Sequence, residues 1–378
     1  MRALVLTGFF LLSACGMAPR KASERLADAR SVLSSGDAAV RARAAWDLGQ
    51  LGMAEYPADS PEPPALVSVR EVAAAALIPV VSDPEAVVRR AAVEALGKTG
   101  GPGIEDVLLS AATDMDAGVR GEIALALFRR RFLKRVPEYS TASLNKLLTL
   151  AADPEAEVRW RAVYAFTRFP DVRAEKLLTQ AVKDPDKVTR LFAVRALSKL
   201  GRSIDASLLS DPDLYVRAEA VAAFGASKAA AELPPAVFSD PSVHVRAAAA
   251  DAVATTGRAE LAGRLEKMAD GDGPMARGRA LIALAKLRGG LEAARLERAR
   301  KDPQWWIRSK AFEASAFLPE AGTILSAGVA DPDVRVAAQA LETLAASTSP
   351  LVAPALEKVL RDPSSQLELL GTAIDAAG

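Results

Sequence analysis

Few residues in this chain are of kinds that do chemistry. Its 378 residues include one cysteine, Cys15, and one histidine, His244. One of each excludes an internal disulfide, a cysteine-rich zinc site and a multi-histidine metal centre, all of which need several such ligands. No phosphate loop, dinucleotide glycine motif or nucleophile elbow occurs. Gly100-Gly101-Pro102-Gly103 is glycine-rich but has no Lys-Ser/Thr partner, so it reads as a turn. No cofactor, metal or catalytic residue is therefore expected. His244 falls on the exposed side of its helix, where a single imidazole is more often a surface residue than a catalyst. With 48 Lys+Arg against 47 Asp+Glu the formal charge is +1. A nucleic-acid binder needs a basic excess to meet phosphates, so no nucleic-acid partner is expected.

The elements behind these residues repeat. Asp-Pro followed by Val-Arg occurs at Asp83 with Arg89, Asp153 with Arg159, Asp211 with Arg217 and Asp240 with Arg246. Looser copies are Asp114 with Arg120, Asp184 with Arg190 and Asp302 with Arg308. Asp331-Pro332 and Asp362-Pro363 keep the opening but lose the Arg, with Ala337 and Glu368 in its place. Ser35 with Arg41 is an atypical first copy, and Asp270 with Arg277 carries one extra residue. Successive starts from Asp83 are 31, 39, 31, 27, 29, 30, 32, 29 and 31 residues apart. A period near 30 is the mark of a solenoid.

Each copy reads as a helix start. Asp can cap free first-turn amides, and Pro after it has no amide to lose. Apolar residues follow at helical spacing, as Val158, Ala162, Ala165 and Phe166 do after Asp153. Gly97, Gly201, Gly225 and Gly257 are expected to close their helices. Before each Asp-Pro lies another helical stretch, so the unit is helix, turn, helix. Nothing reads as a strand. The fold class expected is all-α, a solenoid of about eleven helix pairs over residues 24–378.

This pattern resembles HEAT repeats, in particular the short bacterial HEAT-like class. The resemblance implies that first helices lie on the convex side and second helices line the concave side. It also implies that the Asp and the Arg six residues on form a ladder joining neighbouring repeats. Here the ladder positions are Asp83, Arg89, Asp114, Arg120, Asp153, Arg159, Asp184, Arg190, Asp211, Arg217, Asp240, Arg246, Asp302 and Arg308. Deoxyhypusine hydroxylase, an enzyme of the same repeat class, binds iron through His-Glu pairs, which a chain with one histidine lacks.

Positions +4, +8, +11 and +15 from each Asp fall on one helix ridge and should face the inner curve. They hold Arg161, Tyr164 and Arg168, then Phe192, Arg195 and Lys199, then Tyr215, His244, Trp306, Lys310 and Phe317. Arg with aromatics is the composition of binding hot spots, which points to a protein partner in this groove. The other reading is that the aromatics pack between repeats. A basic run, Arg129 to Arg135, interrupts the period. It reads either as a contact for an anionic partner or as a solvated helix end.

The N-terminus has a charged start, Met1-Arg2, and an apolar run from Ala3 to Leu12. That run is too short to span a bilayer, which takes about 20 residues, and reads as a signal peptide over residues 1–14. Leu12-Ser13-Ala14-Cys15 resembles the lipobox of bacterial lipoproteins, which implies lipidation of Cys15 and a tether over 15–23. Two or three acyl chains, at roughly 0.8 kcal/mol per buried CH2, anchor a protein stably. Gly16 rather than Asp follows, which by the same resemblance implies, in a Gram-negative host, the periplasmic side of the outer membrane. The function expected is a lipid-anchored scaffold of the cell envelope. The alternative is the regulatory part of an envelope enzyme, such as a peptidyl-prolyl isomerase fusion, or a catalytic HEAT-like protein.

Overall fold

The structure, a computed structural model, describes residues 22–53, 64–226 and 233–377. The expected signal peptide and Cys15 lie outside the described residues. The chain is an α-solenoid divided into two compact units, Met1–Ala196 and Leu197–Gly378.

In the first unit the pairs are α1 (Ala22–Ser31) with α2 (Ala38–Gly52), α3 (Pro64–Leu77) with α4 (Ala86–Lys98), and α5 (Ile104–Ala111) with α6 (Ala117–Phe132). Then come α7 (Thr141–Leu150) with α8 (Ala156–Arg168), and α9 (Glu175–Ala181) with α10 (Lys187–Lys199), whose last turn runs past the unit boundary. The second unit opens with two repeats whose first helix is only a 3-10 turn. Ala206–Ser210 precedes α11 (Leu214–Ala226), and Pro235–Ser239 precedes α12 (Val243–Thr256). Full pairs follow: α13 (Ala262–Gly271) with α14 (Pro274–Arg288), α15 (Ala293–Arg300) with α16 (Trp305–Ser315), α17 (Ala321–Gly328) with α18 (Val334–Ala345), and α19 (Val352–Arg361) with α20 (Leu367–Ala377). No strand occurs among the described residues.

Second helices stack on second helices, α2 on α4 on α6 on α8, and α11 on α12 on α14 on α16 on α18 on α20. Leu48, Leu96, Ile123 and Phe166 are fully buried between them and the first helices, which contribute Leu108, Leu144, Leu147 and Leu178. Each apolar stripe is thus removed from water by its neighbours, the condition for a stable repeat.

Two local expectations are corrected. The Asp of Asp-Pro is not the N-cap, and Pro is not the first helical residue. Asp83 accepts from the Glu85 amide at 2.9 Å, and Asp153 from Glu155 at 2.9 Å. This is an Asx turn, and the helix starts one residue after the bonded amide, at Ala86 and at Ala156. Where a second Asp follows, it takes the cap, as Asp116 does for the Val119 amide at 2.9 Å.

The glycines divide into two kinds. Gly257 (φ +67°) and Gly201 (φ +67°) do end helices in the left-handed region. Gly97 and Gly225 do not. They lie inside α4 and α11, where a Cβ would come 2.8 Å from Ala126 Cα and 2.7 Å from Ala252 Cα. They are contact points between successive second helices, as is Gly49 against Ala95 at 2.8 Å.

Candidate functional site

The ladder binds in one direction. Along most of the ladder the Arg of one repeat bonds the Asp of the next through both oxygens, a bidentate geometry. Arg89 reaches Asp114 at 2.7 and 2.8 Å, Arg120 reaches Asp153 at 2.7 and 2.9 Å, and Arg159 reaches Asp184 at 2.7 and 2.9 Å. In the second unit Arg217 reaches Asp240 at 2.8 and 3.0 Å, and Arg308 reaches Asp331 at 2.9 and 2.9 Å. Arg41 of the atypical first copy bonds Asp83 in the same way. Within its own repeat each Arg donates to backbone carbonyls, as Arg120 does to Asp114 and Met115. Arg190 donates to the Asp184 and Pro185 carbonyls. The acceptor for Arg246 is Asp272, and Arg277 bonds Asp302 at 2.7 Å, while Asp270 pairs with Arg295. Arg335 turns back to Asp333 on its own helix. The Arg41 hydrogen bonds hold the Asp83 carboxyl below the usual carboxylate range, and Arg246 does the same for Asp272.

Much of the basic run is held within the fold and is not a solvated helix end. Arg130 is buried, and Arg131 lies over the Tyr139 and Phe169 rings at 4.8 and 4.4 Å. Arg135 donates to the Lys98 carbonyl at 3.2 Å and the Gly52 carbonyl at 3.0 Å, capping the C-terminal ends of α4 and α2.

On the second-helix face of the first unit the ridge residues gather into one array. Phe128 and Phe132 stack at 5.6 Å, Phe128 meets Tyr164 edge-on at 5.2 Å, and Tyr164 meets Phe192 at 5.1 Å. Arg168 lies 5.7 Å over Phe132 and Arg195 lies 5.9 Å over Phe192. Tyr164 and Phe192 are half-buried and join successive repeats, whereas Phe132 and Arg168 are exposed. Arg161 is buried. Beside it Glu122, 4% exposed, faces Arg129 at 2.5 Å, Arg90 at 3.8 Å and Arg161 at 3.8 Å. Arg161 also donates to Glu157, while its Nε and Nη1 are buried without a hydrogen-bond partner. Glu122, at position +8 from Asp114, carried no signal of its own in the sequence, and Arg129, at +15, stood out only as the start of the basic run. Only the ridge from Asp153 onward drew attention, because its aromatics are more frequent.

The second unit carries Tyr215, 55% exposed, 5.7 Å from the exposed His244 ring. Lys310 is buried and lies 4.6 Å over Trp306, and both close over Gly278, where a Cβ would sit 2.9 Å from each. Phe317 and Lys199 are exposed. No group of three or more His, Cys, Asp or Glu residues that could hold a metal occurs among the described residues. No described helix is long and apolar enough to cross a membrane.

No curated protein matches the chain. Among solved structures it is similar to importin beta, with a TM-score of 0.54 at 13% identity over 94% of this chain and 57% of that one. It also matches an engineered protein at 18% identity, over 93% of this chain and 98% of that one, with a TM-score of 0.38. The first likeness agrees with the stacked pairs in fold. HEAT repeats match residues 73–138, 144–223 and 206–285, more than half of the chain and the segments where the Asp-to-Arg rungs recur. The chain belongs to the HEAT-repeat family.

Proposed function

We propose that the protein is a lipid-anchored scaffold of the cell envelope that holds a protein partner on the second-helix face of its first unit. The observation that carries this reading is the array of Phe132, Arg168 and their half-buried neighbours on successive helices. Rings fixed from below and cations fixed over them need little further ordering on binding. HEAT-family membership supports a binding role, and the lipobox at Cys15 supports the location.

Phe132 and Arg168 are exposed, so their truncation tests binding without emptying the interior. Phe132→Ala with Arg168→Ala should weaken capture of the native envelope partner at least about 30-fold, the scale of losing a hot spot. Helicity and melting temperature should not change. Lys176→Ala with Lys183→Ala, on and just after the first helix α9, should change nothing. Full capture by the first pair would sink the reading. For the anchor, Cys15→Ala should leave the protein uncleaved, without the acyl mass increment, and extractable from membranes without detergent. An unchanged mass and detergent partition would refute lipidation.

A further inference from the structure

We infer that the partner presents an acidic, extended segment, and that the cation surplus around Glu122 is what recognises it. This rests on the reading of the same face as a partner-binding surface.

Three guanidiniums, from α4, α6 and α8, converge on one buried carboxylate. Glu122 cannot satisfy them all. Only Arg129 is within hydrogen-bond reach at 2.5 Å; Arg90 and Arg161 stand off at 3.8 Å. Arg161 keeps two buried N–H groups with no acceptor, an arrangement that native interiors avoid. Arg90 has 48% of its side chain exposed, so the cluster opens to solvent on that side.

The missing side chain at Gly121 lets Arg161 pack directly on α6: a Cβ there would lie 3.0 Å from Arg161 Cδ and 3.1 Å from its Nη1. A second carboxylate entering beside Glu122 would find Arg90 on one wall and Arg161 on the other. Arg–carboxylate pairing is the strongest complement such a fork accepts.

Successive second helices stand about 8–10 Å apart, which an extended peptide crosses in about three residues. Phe132 lies ten residues further along the same helix, about 15 Å from Glu122, which an extended peptide lying along α6 covers in about five residues, so an acidic side chain at Glu122 leaves an apolar one in reach of Phe132 beside Arg168. The occupant is a protein segment rather than a nucleic acid. Glu122 and Glu157 interleave with the cations and would repel a continuous polyphosphate, and the chain carries a net charge of only +1.

The test uses the full chain and fluorescein-labelled twelve-residue peptides repeating Glu-Gly-Leu, Gln-Gly-Leu or Lys-Gly-Leu, with a single-stranded oligonucleotide as the polyphosphate probe. Fluorescence polarisation should give the Glu peptide at least about tenfold tighter binding than the Gln peptide, no binding of the Lys peptide, and loss of the preference in high salt. Arg90→Glu with Arg168→Glu should abolish the preference; Lys176→Glu with Lys183→Glu should preserve it. Should the double variant melt early, Arg90→Glu alone, at the exposed member of the cluster, carries the comparison. Equal binding of the Glu and Gln peptides, no binding of the Glu peptide at millimolar concentration, or tighter binding of the oligonucleotide would each overturn the inference. If the Phe132/Arg168 truncation still abolishes native capture while the Glu peptide fails, the face binds by other chemistry and only the acidic partner is lost. If capture survives that truncation, the face itself is refuted.

Discussion

Gly97→Leu should be among the most destabilising single changes in this protein. The α4 backbone passes so close to α6 that even a methyl at residue 97 would sit 2.8 Å from Ala126 Cα. That neighbour is backbone of a stacked helix and cannot swing aside like a side chain. Overpacking a tight core costs about 1–3 kcal/mol, and a leucine against backbone belongs at or above the upper end. Leucine's better helix propensity returns at most about 1 kcal/mol of this, the amount by which a glycine inside a helix falls short of alanine. The loss should be local, since repeats interact with nearest neighbours. Amide exchange should accelerate in α4 and α6 and leave α16 and α18 unchanged. Gly257→Ala, at a left-handed cap with open space around it, should cost only about 1 kcal/mol. Equal urea midpoints for the two variants would contradict the contact-point role of Gly97.

The second large effect concerns the rung between Arg120 and Asp153, whose side chains are 15% and 8% exposed. Removing either partner leaves the other charge nearly buried and alone. Such losses run to about 3–5 kcal/mol in full burial, and here about 2–3 kcal/mol is expected because the guanidinium keeps one edge in water. Arg120→Ala with Asp153→Ala should cost at least about 1 kcal/mol less than the sum of the singles. Arg120→Ala with Asp114→Ala should be closer to additive. Asp114 meets Arg120 through its backbone carbonyl, which alanine retains. Additivity in the first cycle would dissolve the rung.

The rung also titrates. Burial alone would raise the Asp153 carboxyl, but the Arg120 bonds and the Glu155 amide outweigh it and hold the carboxyl low. A carboxyl lower in the folded than in the unfolded chain stabilises fully above its unfolded value, about 3.9. That stability is lost as pH falls through the folded value. Urea midpoints should therefore fall steeply below about pH 4, and Asp153→Asn should flatten the slope.

The periodic part of this fold was legible because it is local. Asp-Pro, the following Val-Arg and the apolar stripe all act within one repeat, and a period of about 30 residues is enough to place the pairs. What was hidden depends on neighbours. Asp83 has the spacing of an N-cap and of an Asx turn alike, and Arg41, 42 residues earlier, takes its carboxylate. Gly97 and Gly257 both stand near a helix end; only the position of Ala126 separates a close approach from a cap. Tyr164 sits on the expected ridge, yet Phe128 and Phe192 on adjacent helices draw it into a stack. The 27-residue step before Asp211 was a visible sign that a first helix had shrunk, and Ala206–Ser210 is that 3-10 turn.

A ladder whose rungs point to the next repeat favours changes of chain length by whole repeats. Excising residues 84–114 would put Asp83 where Asp114 stood. Arg41 would keep its carboxylate, and Arg120 would keep both a carbonyl behind it and Asp153 ahead. Gly49, which now meets Ala95, would meet Ala126 as Gly97 does. A cut ending inside a repeat would strand a guanidinium on one side and a carboxylate on the other. Only insertions and deletions of whole repeats leave every rung paired, whatever sequence each repeat carries on its binding face.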